Sequence, residues 1–270
     1  MILKTNWHTH TKRCGHAIGE DEEYVQAAIK AGFHTLGFSD HAAYRTPLPT
    51  DRMNIDQVPD YYSSILALKE KYKDQLAIHL GMEVECYQSE WDTLMKYRKD
   101  LEYCILGQHT LTIDGESSYR LHTSDGLKKY TDQLEYACEH SLCDYIAHPD
   151  VCLWSYPCED GAVRETAERI ADISVHYNIP LELNAGSGVR EGKKQYDDGL
   201  RYAYPNRIFF EAFAERHCRI VPGLDIHDPK LFLTDEYIKK ALDVVSGLNL
   251  NIIDDFDILS EAAERKKLAY

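Results

Sequence analysis

Seven histidines of this chain arrive in short polar clusters: WHTH (His8, His10), CGHA (His16), SDH (His41), GQHT (His109), AHPD (His148) and LDIH (His227). Neutral imidazole is a ligand for zinc, iron and manganese, whereas magnesium and calcium prefer oxygen. An HxH pair in an extended segment places two imidazoles on one face, ~7 Å apart by strand rise. Two carboxylates share this setting. In HLGMEVE, alternation puts His79, Gly81, Glu83 and Glu85 on one face, with Glu83 near the strand end and Glu85 beyond it. In GLDIHD, Asp225 and His227 share a face in the same way. A single ion takes about four to six ligands, so seven histidines with Glu83 and Asp225 require two or three ions. Any one of these histidines could be an ordinary hydrogen-bonded residue at a strand end. Seven at the same relative position point to one shared cause.

The elements that must position them are short β-rich runs alternating with helix-period segments. The strands predicted are Ile2 to Trp7, Thr35 to Ser39, Ala77 to Val84, Tyr103 to Gly107, Tyr145 to Ala147, Pro180 to Asn184 and Ile220 to Leu224. Between them lie amphipathic segments such as EDEEYVQAAIKAGF, DYYSSILALKEKYKDQ, GLKKYTDQLEYACEH, AVRETAERIADISVHYN and TDEYIKKALDVVSGL. Seven strand-to-helix units without a Pro- or Gly-rich linker imply a parallel sheet closing into a barrel, as one domain over residues 1–270. All seven clustered histidines follow predicted strands, so all would reach the C-terminal rim. The irregular segments Ala42 to Asp56, Leu111 to Asp125, Cys152 to Gly161 and Ala185 to Pro205 would lie on the same rim. The segment DDFDILSEAAERKKL reads as an amphipathic helix packed outside the barrel. Of the other histidines, His34, His140, His176 and His217 fall at helix C-termini, where an imidazole caps carbonyls. His79 and His122 take no part in the cluster.

Composition narrows the classes. A formal net charge of −15 with no Lys/Arg cluster argues against a nucleic-acid partner. No apolar run approaches the ~18 residues of a membrane span. The first residues lack the apolar stretch and cleavage site of a secretory signal, which predicts a cytoplasmic protein. Its eight cysteines, without CxxC spacing, then read as buried free thiols.

HTH, the isolated His16, SDHA, GMEVE, GQH, AHPD and GLDIH, in that order, resemble the PHP (polymerase and histidinol phosphatase) superfamily from His8 to His227. In length and loop pattern the chain is most similar to the stand-alone histidinol-phosphate phosphatases. The resemblance implies a distorted (β/α)7 TIM-like barrel and a trinuclear centre of zinc, manganese or iron. One metal would be held by His8, His10, Glu83 and Asp225; a second by Glu83, as a bridge, with His109 and His148; a third by His16, His41 and His227. It also implies that Arg190, in NAGSGVR, grips a substrate phosphate. The loop after AHPD reads VCLWSYP and lacks the second arginine usual in histidinol phosphatases; Arg164, Arg201 and Lys193 are the candidates to replace it.

A phosphomonoester needs a nucleophile, charge neutralisation and a proton for the leaving alkoxide. The expected mechanism is attack on phosphorus by a hydroxide bridging the two Glu83-linked ions. Asp40 and Asp225, beside His41 and His227, are candidates for leaving-group protonation, or for orienting or ligating metal. Asp114 and Glu116, after GQH, are candidates for the ammonium and imidazole of the substrate. The function expected is hydrolysis of L-histidinol phosphate. The alternatives are a PHP phosphoesterase acting on another small phosphate or nucleotide, and a non-catalytic metal-binding or proofreading module.

Overall fold

The computed structural model describes residues 3–46 and 51–269. The predicted start of the first strand at Ile2, and residues 47–50 of the first long loop, lie outside that range. Seven parallel strands follow the chain in order: β1 (Thr5–Asn6), β2 (Thr35–Phe38), β3 (Ala77–Val84), β4 (Tyr103–Leu106), β5 (Tyr145–Ile146) and β6 (Leu181–Asn184), with β9 (Arg219–Gly223) beside β6. Each lies within a residue or two of the predicted run or inside it. A two-residue strand β10 (Asn251–Ile252) adds to β9, and an antiparallel hairpin of β7 (Lys194–Tyr196) and β8 (Gly199–Arg201) sits in the loop after β6. Neither was legible in the sequence, β10 because two residues carry no periodicity.

The sheet curls until its edges meet. At the C-terminal rim Thr9 bridges Ile226 in parallel, with His10 N donating to Ile226 O at 2.9 Å and Ile226 N to His8 O at 3.1 Å. The fold is thus the distorted TIM-like barrel expected. Helices α1 (Asp21–Ala31), α2 (Val58–Lys71), α3 (Trp91–Asp100), α4 (Ser124–Glu139), α5 (Gly161–His176), the single turn α6 (Ser187–Arg190), α7 (Arg207–Glu215) and α8 (Glu236–Val244) follow the strands. No segment is named in the sequence for α3, α6 or α7, although the helix C-terminus expected at His217 is that of α7. In α7, RIFFEAFAE turns Phe209, Phe210 and Phe213 all into the core, which blurs the polar face a periodicity reading relies on.

The predicted C-terminal helix exists as α9 (Ile258–Ala269), but it is not merely packed outside. Phe256, Ile258 and Ala262 join the inward-facing Trp7, Tyr103, Ile105, Tyr145 and Val221 in a separate apolar cluster. The segment stoppers the barrel interior, because these strand side chains would otherwise meet water. Trp7 Nε1 donates to Phe256 O at 2.9 Å, and Arg219 pairs with Glu261 at 2.6 Å. Outside the barrel, Arg98 of α3 makes a fully buried bidentate pair with Asp144, both contacts at 2.7 Å, just ahead of β5. Among the described residues no helix is long and apolar enough to cross a membrane.

Candidate metal centre

All nine residues expected to bind metal reach one rim, because each sits where its strand ends. His8 and His10 follow β1, His41 follows β2, Glu83 is the penultimate residue of β3, and His109, His148, Asp225 and His227 follow β4, β5 and β9. His16 comes from the loop beyond a 3-10 turn (Lys12–Cys14) after β1. His148 and Asp225 both hold positive φ, +27° and +50°, a conformation uncommon outside glycine. Such strain concentrates at functional sites, where the surroundings over-determine the backbone.

Glu83 lies at the middle and is buried to 1% exposure. Its Oε1 faces His148 Nε2 at 2.8 Å and His109 Nε2 at 3.4 Å. Its Oε2 faces His41 Nδ1 at 3.0 Å and the Nε2 atoms of His8 and His10, both at 3.5 Å. One carboxylate therefore addresses two separate histidine sets, one with each oxygen. Gly107 of the neighbouring strand makes this possible: a Cβ there would fall on Glu83 Oε1.

Asp225 Oδ1 lies 3.3 Å from His10 Nε2 and 3.6 Å from His8 Nε2, and 3.3 Å from His227 Nδ1. Ligand atoms of His8, His10 and Asp225, of His8, Glu83 and His148, and of His16, His41 and His227 each fall within 4.8 Å of one another. The rings are tightly grouped, with His10 stacked on His227 at 4.0 Å and His16 on His227 at 4.6 Å between centroids.

Behind these imidazoles stand carboxylates that orient them. His8 Nδ1 lies 2.9 Å from Glu182 Oε1, and His109 Nδ1 3.1 Å from Glu85 Oε1. Such pairs fix the tautomer and leave the other ring nitrogen free to bind metal. Glu182 was missed in the sequence, although its parity with Asn184 in LELN was a signal that it faces inward. Gly223 leaves room for it, since a Cβ there would strike its carboxylate. Glu85 is in turn held by Arg52 Nη1 at 2.5 Å and by the Tyr44 hydroxyl at 3.1 Å.

Asp40 stands behind His10 and His41. It is completely buried, bonds the Thr11 hydroxyl, accepts the His41 amide at 2.9 Å and lies 3.6 Å from His10 Nδ1. A carboxylate so enclosed faces His10 and Thr11, which favours the orienting role over leaving-group protonation. Asp225 is also a poor acid. Burial alone would raise its pKa, but His8 and His227 outweigh it and hold the carboxyl well below the usual range.

The electrostatics divide the imidazoles. For His10, burial opposes protonation, but the carboxylates of Asp225 at 3.3 Å and Asp40 at 3.6 Å raise its pKa to about 9. His8, beside Glu182, and His148, beside Glu83, are also raised against the effect of burial. His16, His41 and His227 are lowered by burial and by His10, His227 to about 4. The second set is neutral and carries free lone pairs; the first is drawn toward positive charge by the carboxylates it faces.

These properties fit cations. His8 Nε2, both nitrogens of His10, His41 Nδ1, Glu83 Oε2, His148 Nδ1 and His227 Nε2 are buried without a hydrogen-bond partner. Leaving one buried polar group unsatisfied costs about 1–3 kcal/mol, so a converging set of them is tolerable only where a ligand satisfies it.

Toward the substrate side, Arg190 Nη1 donates to the carbonyls of Asp225 at 3.0 Å and Leu224 at 3.2 Å, which places its guanidinium against the metal loop. The candidates for the absent second arginine differ in how far they are committed, and Arg201 keeps Nε and Nη1 buried without a hydrogen-bond partner. Arg164 pairs with Glu168 and Glu215, Arg201 donates to Tyr156 O at 2.8 Å and stacks on Tyr196 at 3.5 Å, and Lys193 sits 5.4 Å from the Tyr202 ring centre. Asp114 and Glu116 are exposed in the turn closed by the Thr110–Ser117 bridge. Among the described residues, neither carboxylate bonds to the centre. His140, by contrast, caps Tyr136 O at 2.9 Å, the structural role expected of it.

A parallel barrel with this rim defines the class: a metal-dependent barrel hydrolase. The family model described as PHP domain matches residues 6–186, and the chain belongs to that family. It is 33% identical over 256 residues to the histidinol-phosphatase of Bacillus subtilis (strain 168), covering 84% of this chain and 94% of that one. The fold is similar to that of histidinol phosphate phosphatase from Lactococcus lactis subsp. lactis Il1403, solved with Zn, L-histidinol and phosphate. There the TM-score is 0.71 at 16% identity, covering 96% of this chain and 98% of that one.

Proposed function

We propose that this chain hydrolyses L-histidinol phosphate to L-histidinol and phosphate, a step of histidine biosynthesis, at a centre of two to three zinc, manganese or iron ions. The observation that carries the reading is Glu83, whose two oxygens face two different sets of imidazoles. The name of the Bacillus relative and the ligands of the Lactococcus structure support the substrate. In this reading His8, His10, Glu83 and Asp225 hold one ion, Glu83 with His109 and His148 a second, and His16, His41 and His227 a third. Residues 1–270 act as a single PHP-type domain. A cytoplasmic location belongs to the same reading, supported by eight cysteines that are all free thiols.

When bound, such ions supply a water that ionises near neutral pH and neutralise charge on the phosphoryl group. The residues of the chain do the rest. Glu182 and Glu85 hold His8 and His109 with one nitrogen bonded and the other bare. Arg190, fixed by the two carbonyls of the Asp225 loop, offers its remaining N–H groups to a phosphate oxygen. Asp225, kept ionised, serves as ligand, and His227 with its low pKa stays neutral beside it.

A second reading, a PHP phosphoesterase for another small phosphate, is favoured by one observation: the loop after AHPD carries no arginine, and Arg164, one candidate to replace it, is committed to Glu168 and Glu215. Assay against histidinol phosphate and a panel of phosphomonoesters and diesters, with metal content measured alongside, tests both. A preference for histidinol phosphate above about tenfold in kcat/KM, ~1.4 kcal/mol in transition-state binding, supports the first; a smaller one overturns it.

A further inference from the structure

Cys14 ends the 3-10 turn that carries the chain from His10 toward His16, and Gly15 follows it in the left-handed conformation. Its side chain is completely buried. The sulfur accepts the Ala17 amide at 3.3 Å and lies 3.9 Å from His16 Nε2. Cys14 Sγ and one ring nitrogen each of His10 and His227 fall within 4.8 Å of one another. Two of these neighbours are themselves incomplete: His10 is wholly buried with neither nitrogen hydrogen-bonded, and His227 Nε2 is buried without a partner. The sulfur thus lies beside His16 and His227, two of the three imidazoles read as holding the third ion, on the side that faces His10.

We propose that Cys14 is a ligand of the ion held by His16, His41 and His227, and that it biases that position toward zinc over manganese. The inference rests on the metal-centre reading above. Three imidazoles bring no negative charge to a divalent cation. One thiolate brings a charge and completes a four-ligand His3Cys set, the number zinc prefers. Thiolate is soft and favours zinc, whereas manganese prefers carboxylate and water. On binding, the S–H proton leaves to solvent as the S–metal bond forms, with no change of oxidation state. The other two ions, surrounded by imidazole and carboxylate alone, carry no such preference.

Cobalt(II) tests this, because a sulfur ligand produces a near-ultraviolet charge-transfer band that nitrogen and oxygen ligands do not. The full chain, stripped of metal and reloaded with cobalt, should show the band. C14S should lose it while still binding cobalt, and C138S, altered at the C-terminal end of α4, should keep it. In competition, C14S should bind zinc at the third position at least about tenfold more weakly, with manganese little changed. Cobalt uptake without the band in the unaltered chain overturns the proposal by itself, whether or not C14S folds. A band that persists in C14S overturns it as well. Failure to take up cobalt at all overturns both this proposal and the metal-centre reading.

Discussion

His8 Nδ1 and Glu182 Oε1 lie 2.9 Å apart, both residues fully buried and 174 positions apart in the chain. The carboxylate has no place in the ligand set, yet it decides which nitrogen of His8 faces Glu83 and Asp225. Glu182→Gln should therefore leave the fold intact and weaken metal binding about 10–100-fold. Metal retention after dialysis, with circular dichroism as the control for folding, reads this out; unchanged retention would show that Glu182 has no orienting role.

His16 is the ligand candidate delivered by a loop, and its partners are His41 and His227. His16→Ala should remove one ion and leave the pair linked by Glu83 largely occupied. Glu83→Ala, by contrast, should release the two ions that it links, because its two oxygens face different imidazoles. Elemental analysis of the two purified variants compares them directly; loss of all ions from His16→Ala would show the centre to be one indivisible cluster.

Arg98 and Asp144 form an ion pair out of reach of water, and Asp144 also accepts the Cys104 amide at 2.9 Å. Asp144→Ala should destabilise the chain by about 3–5 kcal/mol, since it leaves a buried guanidinium uncompensated. The double variant Arg98→Met, Asp144→Ala should lose less. Urea unfolding midpoints give both values, and a single variant within about 1 kcal/mol of the parent would contradict the account.

Glu102, just ahead of β4, is expected to contribute to acid sensitivity. Burial raises its pKa, but His79, Lys69 and the Leu80 amide outweigh this and lower it to about 2 from an ordinary 4.5. A carboxyl depressed on folding contributes stability that is fully present above 4.5 and is lost as pH falls from there toward about 2. Glu102→Gln should remove about 1–2 kcal/mol at pH 7, discounted because the group is partly exposed, and should flatten the stability profile in that window. Denaturant titrations at pH 7, 4 and 3 check it; parallel profiles for parent and variant would refute the assignment.

The barrel was legible because strand and helix periodicities alternate along the chain, and a parallel sheet buries both faces of each strand. The pieces that escaped were those whose identity comes from contacts at a distance. The pairing of β10 is two residues long, and α9 reads as an outer helix until Phe256 and Ile258 are seen filling the barrel's end. Amphipathicity says that a helix has a face to bury, not what lies against it.

The same boundary runs through the candidate centre. Histidine type, strand-end position and period-two alternation were enough to nominate the seven imidazoles with Glu83 and Asp225, since those are local properties of short segments. What only the tertiary structure decided is direction: that the two oxygens of Glu83 part toward different histidines, that Glu182 and Glu85 stand behind rings from other strands, that Asp40 faces inward, and that the sulfur of Cys14 turns into the cluster. Those relations depend on strand register and barrel closure, through which residues far apart in the chain come within 3 Å. No spacing along one segment encodes them.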